Sequence, residues 1–203
     1  ELVSHPEQMP RILEIAMQTA VSRRGVSVVV LPGDIALQPA AVTEPRLKFA
    51  AVTPTVRPSD DECDRLAEVL NGARKITILG GAGWAGAHDQ LMEVAGKLQA
   101  PIVHTMRGKE FIEYDNPFDV GMTGLLGFAS GYYAMMDCET LLMLGTDFPY
   151  QQFYPERATI IQIDIRGEQI GRRSRVDVGL VGDVKSTLIA LLPRLNQKTD
   201  DKH

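Results

Sequence analysis

Between Ile76 and Gly86 the chain reads Ile-Thr-Ile-Leu-Gly-Gly-Ala-Gly-Trp-Ala-Gly. A short β-branched and apolar run meets four glycines, and an apolar helical period follows. This order predicts a strand, a tight turn and the start of a helix. Gly81, Gly83 and Gly86 fit G-x-G-x-x-G. Glycine lacks a Cβ, so such a turn can take a positive φ and let a phosphate approach the backbone. The helix behind it would aim unpaired N–H groups and a partial positive charge at that phosphate. A nucleotide site and an ordinary glycine-rich βα turn explain the motif equally well, because lone glycine motifs are common. A standard dinucleotide fingerprint places an acid about 20 residues further on. Here Thr105-Met106-Arg107 stands there, so a nucleotide in this chain would lie differently than in a standard NAD dehydrogenase.

The rest of the chain extends the same alternation. Ser59 and Glu62 have capping-box spacing, and Cys63, Leu66, Ala67 and Leu70 make one apolar stripe behind them. Leu91, Val94, Ala95 and Leu98 make another. Strands are expected at 102–105, 140–144, 159–165 and 178–181, with helices at 130–137 and after Asp183, which caps the last one. Pro193 should kink or fray that helix end. Residues 108–131 are rich in glycine and turns, and a loop this long inside a compact domain is more often functional than idle. Alternating strands and helices argue a Rossmann-like parallel α/β sheet with helices on both faces.

The amino-terminal part differs. Ser4-His5-Pro6-Glu7 reads as a capping box opening a helix over 4–22, with Pro10 making its first turn irregular. Val26–Leu31 is a near-continuous β-branched run, the mark of a strand buried on both faces. One helix and one strand cannot bury both their faces. They are read as a leftover αβ unit of a preceding domain over 1–38, in a piece cut from a longer protein. Residues 39–58, broken by Pro39, Pro45, Pro54 and Pro58, are a linker hugging the surface, because Leu47, Phe49 and Val52 want cover. Residues 59–195 form the main domain, and 196–203 a disordered tail.

The bulk properties exclude several classes. The net charge of −5 argues against a nucleic-acid surface. Cys63 and Cys138 are too few for a disulfide framework or a four-cysteine zinc site, which points to a reducing compartment. No apolar run approaches the ~20 residues that span a bilayer. His5, His88, His104 and His203 show no metal spacing, and His104, on a strand, reads as a satisfied core residue. Arg172, Arg173 and Arg175 read as a solvated basic loop. No catalytic constellation is visible. In a parallel sheet, however, ligands lie outside the carboxyl ends of strands. Gly81 and Gly83, Thr105–Arg107, Gly145-Thr146-Asp147, Asp164 and Gly182-Asp183 all fall there. Asp164 could accept hydrogen bonds from ribose hydroxyls.

Several segments resemble the thiamine-diphosphate-dependent pyruvate oxidases, in particular the bacterial quinone-linked, acetate-forming kind. They are 1–20, 24–37, 101–110, 113–127 (Glu-Tyr-Asp-Asn-Pro-Phe-Asp-Val-Gly-Met-Thr-Gly-Leu-Leu-Gly), 144–155, 160–165 and 180–188. The resemblance implies the end of a pyrimidine-binding domain followed by a central domain that holds FAD. By motif, Gly81 and Gly83 would lie against the FAD phosphates or ribityl chain. Thr105, Met106, Arg107, Gly124 and Leu125 would line the flavin. Gly145, Thr146, Asp147, Phe148 and Pro149 would pack along the dinucleotide. Asp164, Ile165, Gly182, Asp183 and Val184 would surround the adenosine. The whole enzyme would be a cytoplasmic homotetramer with peripheral attachment at the inner membrane. It would bind thiamine diphosphate and Mg²⁺ outside this piece and pass electrons from pyruvate through FAD to quinone. The piece alone would be inactive. A cofactor-free central domain of a related decarboxylase or synthase is the alternative. A sirtuin-type deacylase would need a cysteine quartet, which is lacking.

Overall fold

Strands β1 (Ile76–Gly80), β2 (Ile102–His104), β3 (Asp119–Met122), β4 (Thr140–Leu144), β5 (Thr159–Asp164) and β6 (Val178–Val181) form one sheet. All pairings are parallel, in the order β3-β2-β1-β4-β5-β6. The computed structural model describes residues 1–40 and 52–199 and falls into two units, Glu1–Thr55 and Val56–His203. The sheet belongs to the second.

Alternation along the strands serves both faces at once. Ile76, Ile78, Leu142, Leu144, Ile161 and Ile163 point into one core. Helices α3 (Asp60–Gly72), α4 (His88–Leu98) and α7 (Val184–Leu191) cover it with Leu66, Leu70, Leu91, Val94 and Leu188. Leu79, Val103, Leu141, Met143 and Ile160 point the other way. There they meet Met135 of α6 (Ala129–Met136) and the rings of Phe148 and Tyr154. Each fully buried aliphatic side chain contributes about 1.5–3 kcal/mol relative to exposure.

Local expectations of the second unit hold at most boundaries. Ser59 accepts from the Glu62 amide while the Glu62 side chain accepts from the Ser59 amide. Asp183 accepts from the Ser186 amide at the start of α7. Past Leu191 the helix tightens into a 3-10 turn at Leu192–Arg194, as Pro193 requires. Two elements were not expected. The glycine-rich stretch 108–131 contains the one-turn helix α5 (Lys109–Ile112) and edge strand β3, so the sheet has six strands rather than five. The tail is also different: Lys198 donates from its amide to the Lys97 carbonyl and from Nζ to the carbonyls of Asn71 and Ala73. Residues 200–203 lie outside the described residues.

In the first unit, α1 (Met9–Ser22) follows a 3-10 turn at Pro6–Gln8, the irregular start that Pro10 suggested. The capping box at Ser4 does not form; the Ser4 amide donates to Gln8 Oε1 instead. A one-turn helix, α2, covers Gly33–Ala36. The run at Val26–Leu31 makes one parallel bridge, Leu2 to Val30, and is not buried: Val26 is 93% and Val28 63% exposed. Val52 is exposed too, against the expected surface strap. Leu47, Phe49 and most of the expected linker lie outside the described residues. Among the described residues no helix is long and apolar enough to cross a membrane.

Candidate functional site

The strand registers place the expected site residues on one edge. Gly80 stands level with His104 and with Leu144, Leu144 with Ile163, and Asp164 with Val181. The segments that follow these positions therefore share the carboxyl edge of the sheet. In this strand order the crevice between β1 and β4 is where the winding reverses, and such crevices are the usual ligand sites of open α/β sheets.

Here that crevice is closed by the chain itself. The Gly81 amide donates to the Leu144 carbonyl (3.1 Å) and the Gly83 amide to the Gly145 carbonyl (3.0 Å). A Cβ on Gly83 would stand 2.6 Å from the Gly145 Cα, and one on Gly81 would stand 2.8 Å from the Gly145 oxygen. Glycine is needed so that two backbones can touch. Residues Ala82–Trp84 form a 3-10 turn, and α4 begins only at His88, after Gly86 at φ +77°. The expected picture, with a helix aiming free amides of Gly81 and Gly83 at a phosphate, is corrected on both counts. Trp84 is fully buried; its ring packs against Gly80, and its Nε1 donates to the Gly108 carbonyl (3.1 Å).

Other expected residues are also engaged within the chain. Asp164 is 3% exposed and accepts from the Arg166 amide (2.9 Å). Asp147 receives Arg173 through two contacts, Nε at 2.8 Å and Nη2 at 3.3 Å. That bidentate hold raises the Arg173 guanidinium above its ordinary value, with the Asp147 hydrogen bond as the main cause. Arg175 pairs with Asp177 at 2.7 Å, so the basic loop is not simply solvated. Thr146, Phe148 and Val184 are buried, and Asp183 serves as a cap. Gln162, buried on β5, donates to the carbonyls of Thr146 and Gln169 and accepts from the Gly171 amide. Nothing in its sequence context marked it.

The flank beside β2 and β3 is open. Met106 is 56%, Leu125 66% and Leu126 69% exposed, with Arg107 exposed beside them. Gly124, at φ +106°, lies over Phe148 and Tyr150. These groups fit a flat aromatic ligand with an anionic part. An apolar surface covers rings, and a free guanidinium binds phosphate. A separate concavity lined by Tyr154, Glu156, Arg157, Arg173 and Asp177 lies toward the amino end of β5 and involves none of the expected rim glycines.

His104 breaks its expectation as a satisfied core residue. It is 1% exposed, yet its Nε2 has no hydrogen-bond partner, and neither has Asp119 Oδ1, 3.5 Å away. Asp119 lies on β3, the strand the sequence did not disclose. Burial raises its carboxyl above the ordinary value, against the lowering influence of His104.

Comparison with known proteins gives the family. Residues 63–191 match the thiamine pyrophosphate enzyme, central domain. A 42.6 kDa protein in the isoamylase 3′ region of Pseudomonas amyloderamosa is 56% identical over 98% of this chain and 51% of its own length. The acetolactate synthase isozyme 2 large subunit of Escherichia coli is 30% identical over all of this chain and 38% of its own length. The chain thus spans about half, or less, of these curated relatives. Benzoylformate decarboxylase from Polynucleobacter necessarius has a similar structure, with a TM-score of 0.78 at 20% identity, over 100% of this chain and 39% of that one. The six-stranded parallel α/β fold therefore matches that of the decarboxylase, and the chain belongs to the family of thiamine pyrophosphate enzyme central domains.

Proposed function

We propose that this chain is the central portion of a thiamine-diphosphate-dependent pyruvate oxidase and that its open flank carries FAD. The observation that carries the reading is the exposed apolar surface of Met106, Leu125 and Leu126 at the carboxyl edge, next to Arg107. Leu125 and Leu126 fall in the segment 113–127, and Met106 and Arg107 in the segment 101–110, both of which resemble the oxidases. Thr105, Met106, Arg107, Gly124 and Leu125 would hold the ring end. Gly145, Pro149 and Ile165, with the bound side chains of Asp147 and Asp164 behind them, would border the rest. When bound, FAD supplies a two-electron acceptor. The overall conversion takes pyruvate and water to acetate and CO₂, releasing two electrons and two protons. The residues of this chain bind and orient; thiamine diphosphate and Mg²⁺ belong to other parts of the whole protein, as does any contact with quinone or a membrane surface. Residues 1–38 would complete a preceding domain, and the exposed run at Val26–Leu31 supports that reading. The working form would be a homo-oligomer.

One observation favours a second reading. The β1–β4 crevice is closed by backbone contact between Gly83 and Gly145, as expected of a central domain that only packs and holds no cofactor. Titrating the whole protein with FAD separates the two. Quenching of flavin fluorescence that saturates at one FAD per chain supports the oxidase reading; no quenching at millimolar FAD leaves the packing module.

A further inference from the structure

The structure assigns a cation site to His104, Asp119 and Glu113, at the junction of β2, β3 and the segment after α5. We propose that it takes one divalent transition-metal ion of the Zn²⁺ type. This inference is independent of the flavin reading.

The argument begins with the histidine ring. His104 Nδ1 lies 3.4 Å from the Thr105 carbonyl oxygen. A carbonyl can only accept, so we assign the ring proton to Nδ1. The neutral ring then turns a lone pair outward at Nε2. That lone pair faces Asp119 Oδ1 at 3.5 Å, and both atoms are buried without a hydrogen-bond partner. Two buried acceptors facing each other are costly unless something positive stands between them. A histidine that donates one ring N–H to a carbonyl and offers the other nitrogen outward has the usual arrangement of a metal-binding imidazole.

The spacing suits an ion. Two ligands each ~2.1 Å from one metal lie about 3.5 Å apart when the angle at the metal is about 110°, close to tetrahedral. Glu113 brings a third donor: one atom each from His104, Glu113 and Asp119 lie within 4.8 Å of one another. Glu113 is half-exposed and opens the site to solvent. Its carboxylate now holds Lys109 Nζ at 2.7 Å, so a cation already occupies part of this acidic corner. Binding a metal would exchange Lys109 for the ion. One imidazole nitrogen with two carboxylates suits Zn²⁺, Co²⁺ or Mn²⁺ rather than Mg²⁺ or Ca²⁺, which prefer all-oxygen shells. Such an ion would join β2 to edge strand β3 and fix the Thr105–Arg107 turn that His104 precedes.

The test is titration of chelator-stripped protein with Zn²⁺, and with Co²⁺ for its visible d–d bands. One equivalent per chain should bind, and the melting temperature should rise until that equivalent is reached, with no response to Mg²⁺. His104→Gln and Asp119→Asn should each weaken binding by more than tenfold, and Glu113→Gln by about tenfold. Should His104→Gln fail to fold, ¹⁵N spectra of the unaltered protein decide. A metal-shifted His104 Nε2 resonance on adding Zn²⁺ supports the site. Both ring nitrogens protonated at neutral pH, with no response to Zn²⁺, overturn it, because an imidazolium–carboxylate pair then satisfies the two atoms. Binding that survives both His104→Gln and Asp119→Asn overturns it as well.

Discussion

At the carboxyl edge, the centre and the flank of the sheet are built in opposite ways. In the centre, β1 and β4 run into turns that touch through Gly81, Gly83 and Gly145, with Trp84 packed behind them. On the flank, β2 and β3 lead to exposed Met106, Leu125 and Leu126, while His104 on β2 and Asp119 at the start of β3 carry buried atoms without a hydrogen-bond partner. The centre of the sheet is thus saturated where its β2–β3 flank is not. Satisfied groups hold a fold together, whereas a buried unsatisfied group calls for an explanation such as a water or an ion. The difference teaches that the glycine motif packs the chain against itself, while exposed apolar surface and unpaired buried atoms lie on the flank.

The largest effect should come from the centre. Trp84→Ala removes a fully buried ring and its bond to Gly108, and should cost about 3–5 kcal/mol. Urea unfolding with an unchanged m-value measures it. A loss under about 1 kcal/mol would break the comparison, because the centre would then be loosely filled.

Next comes the thiol beneath the same strands. Cys138 precedes β4, is 6% exposed, and its Sγ donates to the Met135 carbonyl. Burial pushes this thiol from its ordinary 9.0 up to about 12. A raised thiol pKa means that the protonated, unreactive form persists through neutral and mildly basic pH. At pH 8 the thiolate fraction should be about a thousandfold lower than for an unperturbed thiol. Iodoacetamide labelling should therefore wait for unfolding, and should speed up tenfold per pH unit below 12. Labelling at free-thiol rates in the native state would mean that the centre opens locally.

Gly83→Ala comes third. Its Cβ would meet backbone rather than a flexible side chain, so the β4 turn must move, at about 1–3 kcal/mol. A neutral result would mean that the crevice can spread, and would reopen the glycine turn as a phosphate site.

How much of this was legible follows from the range of the interactions involved. The strands with continuous apolar runs, the stripe at Cys63–Leu70, and the caps at Ser59 and Asp183 are local or periodic, and they could be read directly. Strand β3 could not. Asp119-Val-Gly-Met carries little strand propensity, and it is paired because β2 offers it an edge and the Ile102 amide donates to the Phe118 carbonyl. Since β3 was hidden, so was the meeting of Asp119 with His104. The Arg173–Asp147 clamp spans 26 residues and leaves no mark in either segment. The gathering of glycines and aspartates at strand ends was correctly seen as a shared edge. Their hydrogen-bond partners, which decide whether they are free for a ligand, are set by tertiary approach.

The smallest effect on stability should come from the flank, and it sharpens the comparison most. Leu125 is 66% exposed, so Leu125→Ser gives up little buried area and should change stability by no more than about 0.5 kcal/mol. The same holds for Met106→Ser, at 56% exposure. If the flank is where flavin lies, the two changes should nonetheless weaken FAD binding in fluorescence titrations, by a factor of ten for each ~1.4 kcal/mol of binding free energy that the side chain supplies. A residue that is indifferent to folding yet sensitive to ligand is kept for the ligand. If these substitutions leave both quantities unchanged while FAD still binds, the flavin lies elsewhere on the edge, and the open flank serves another part of the whole protein.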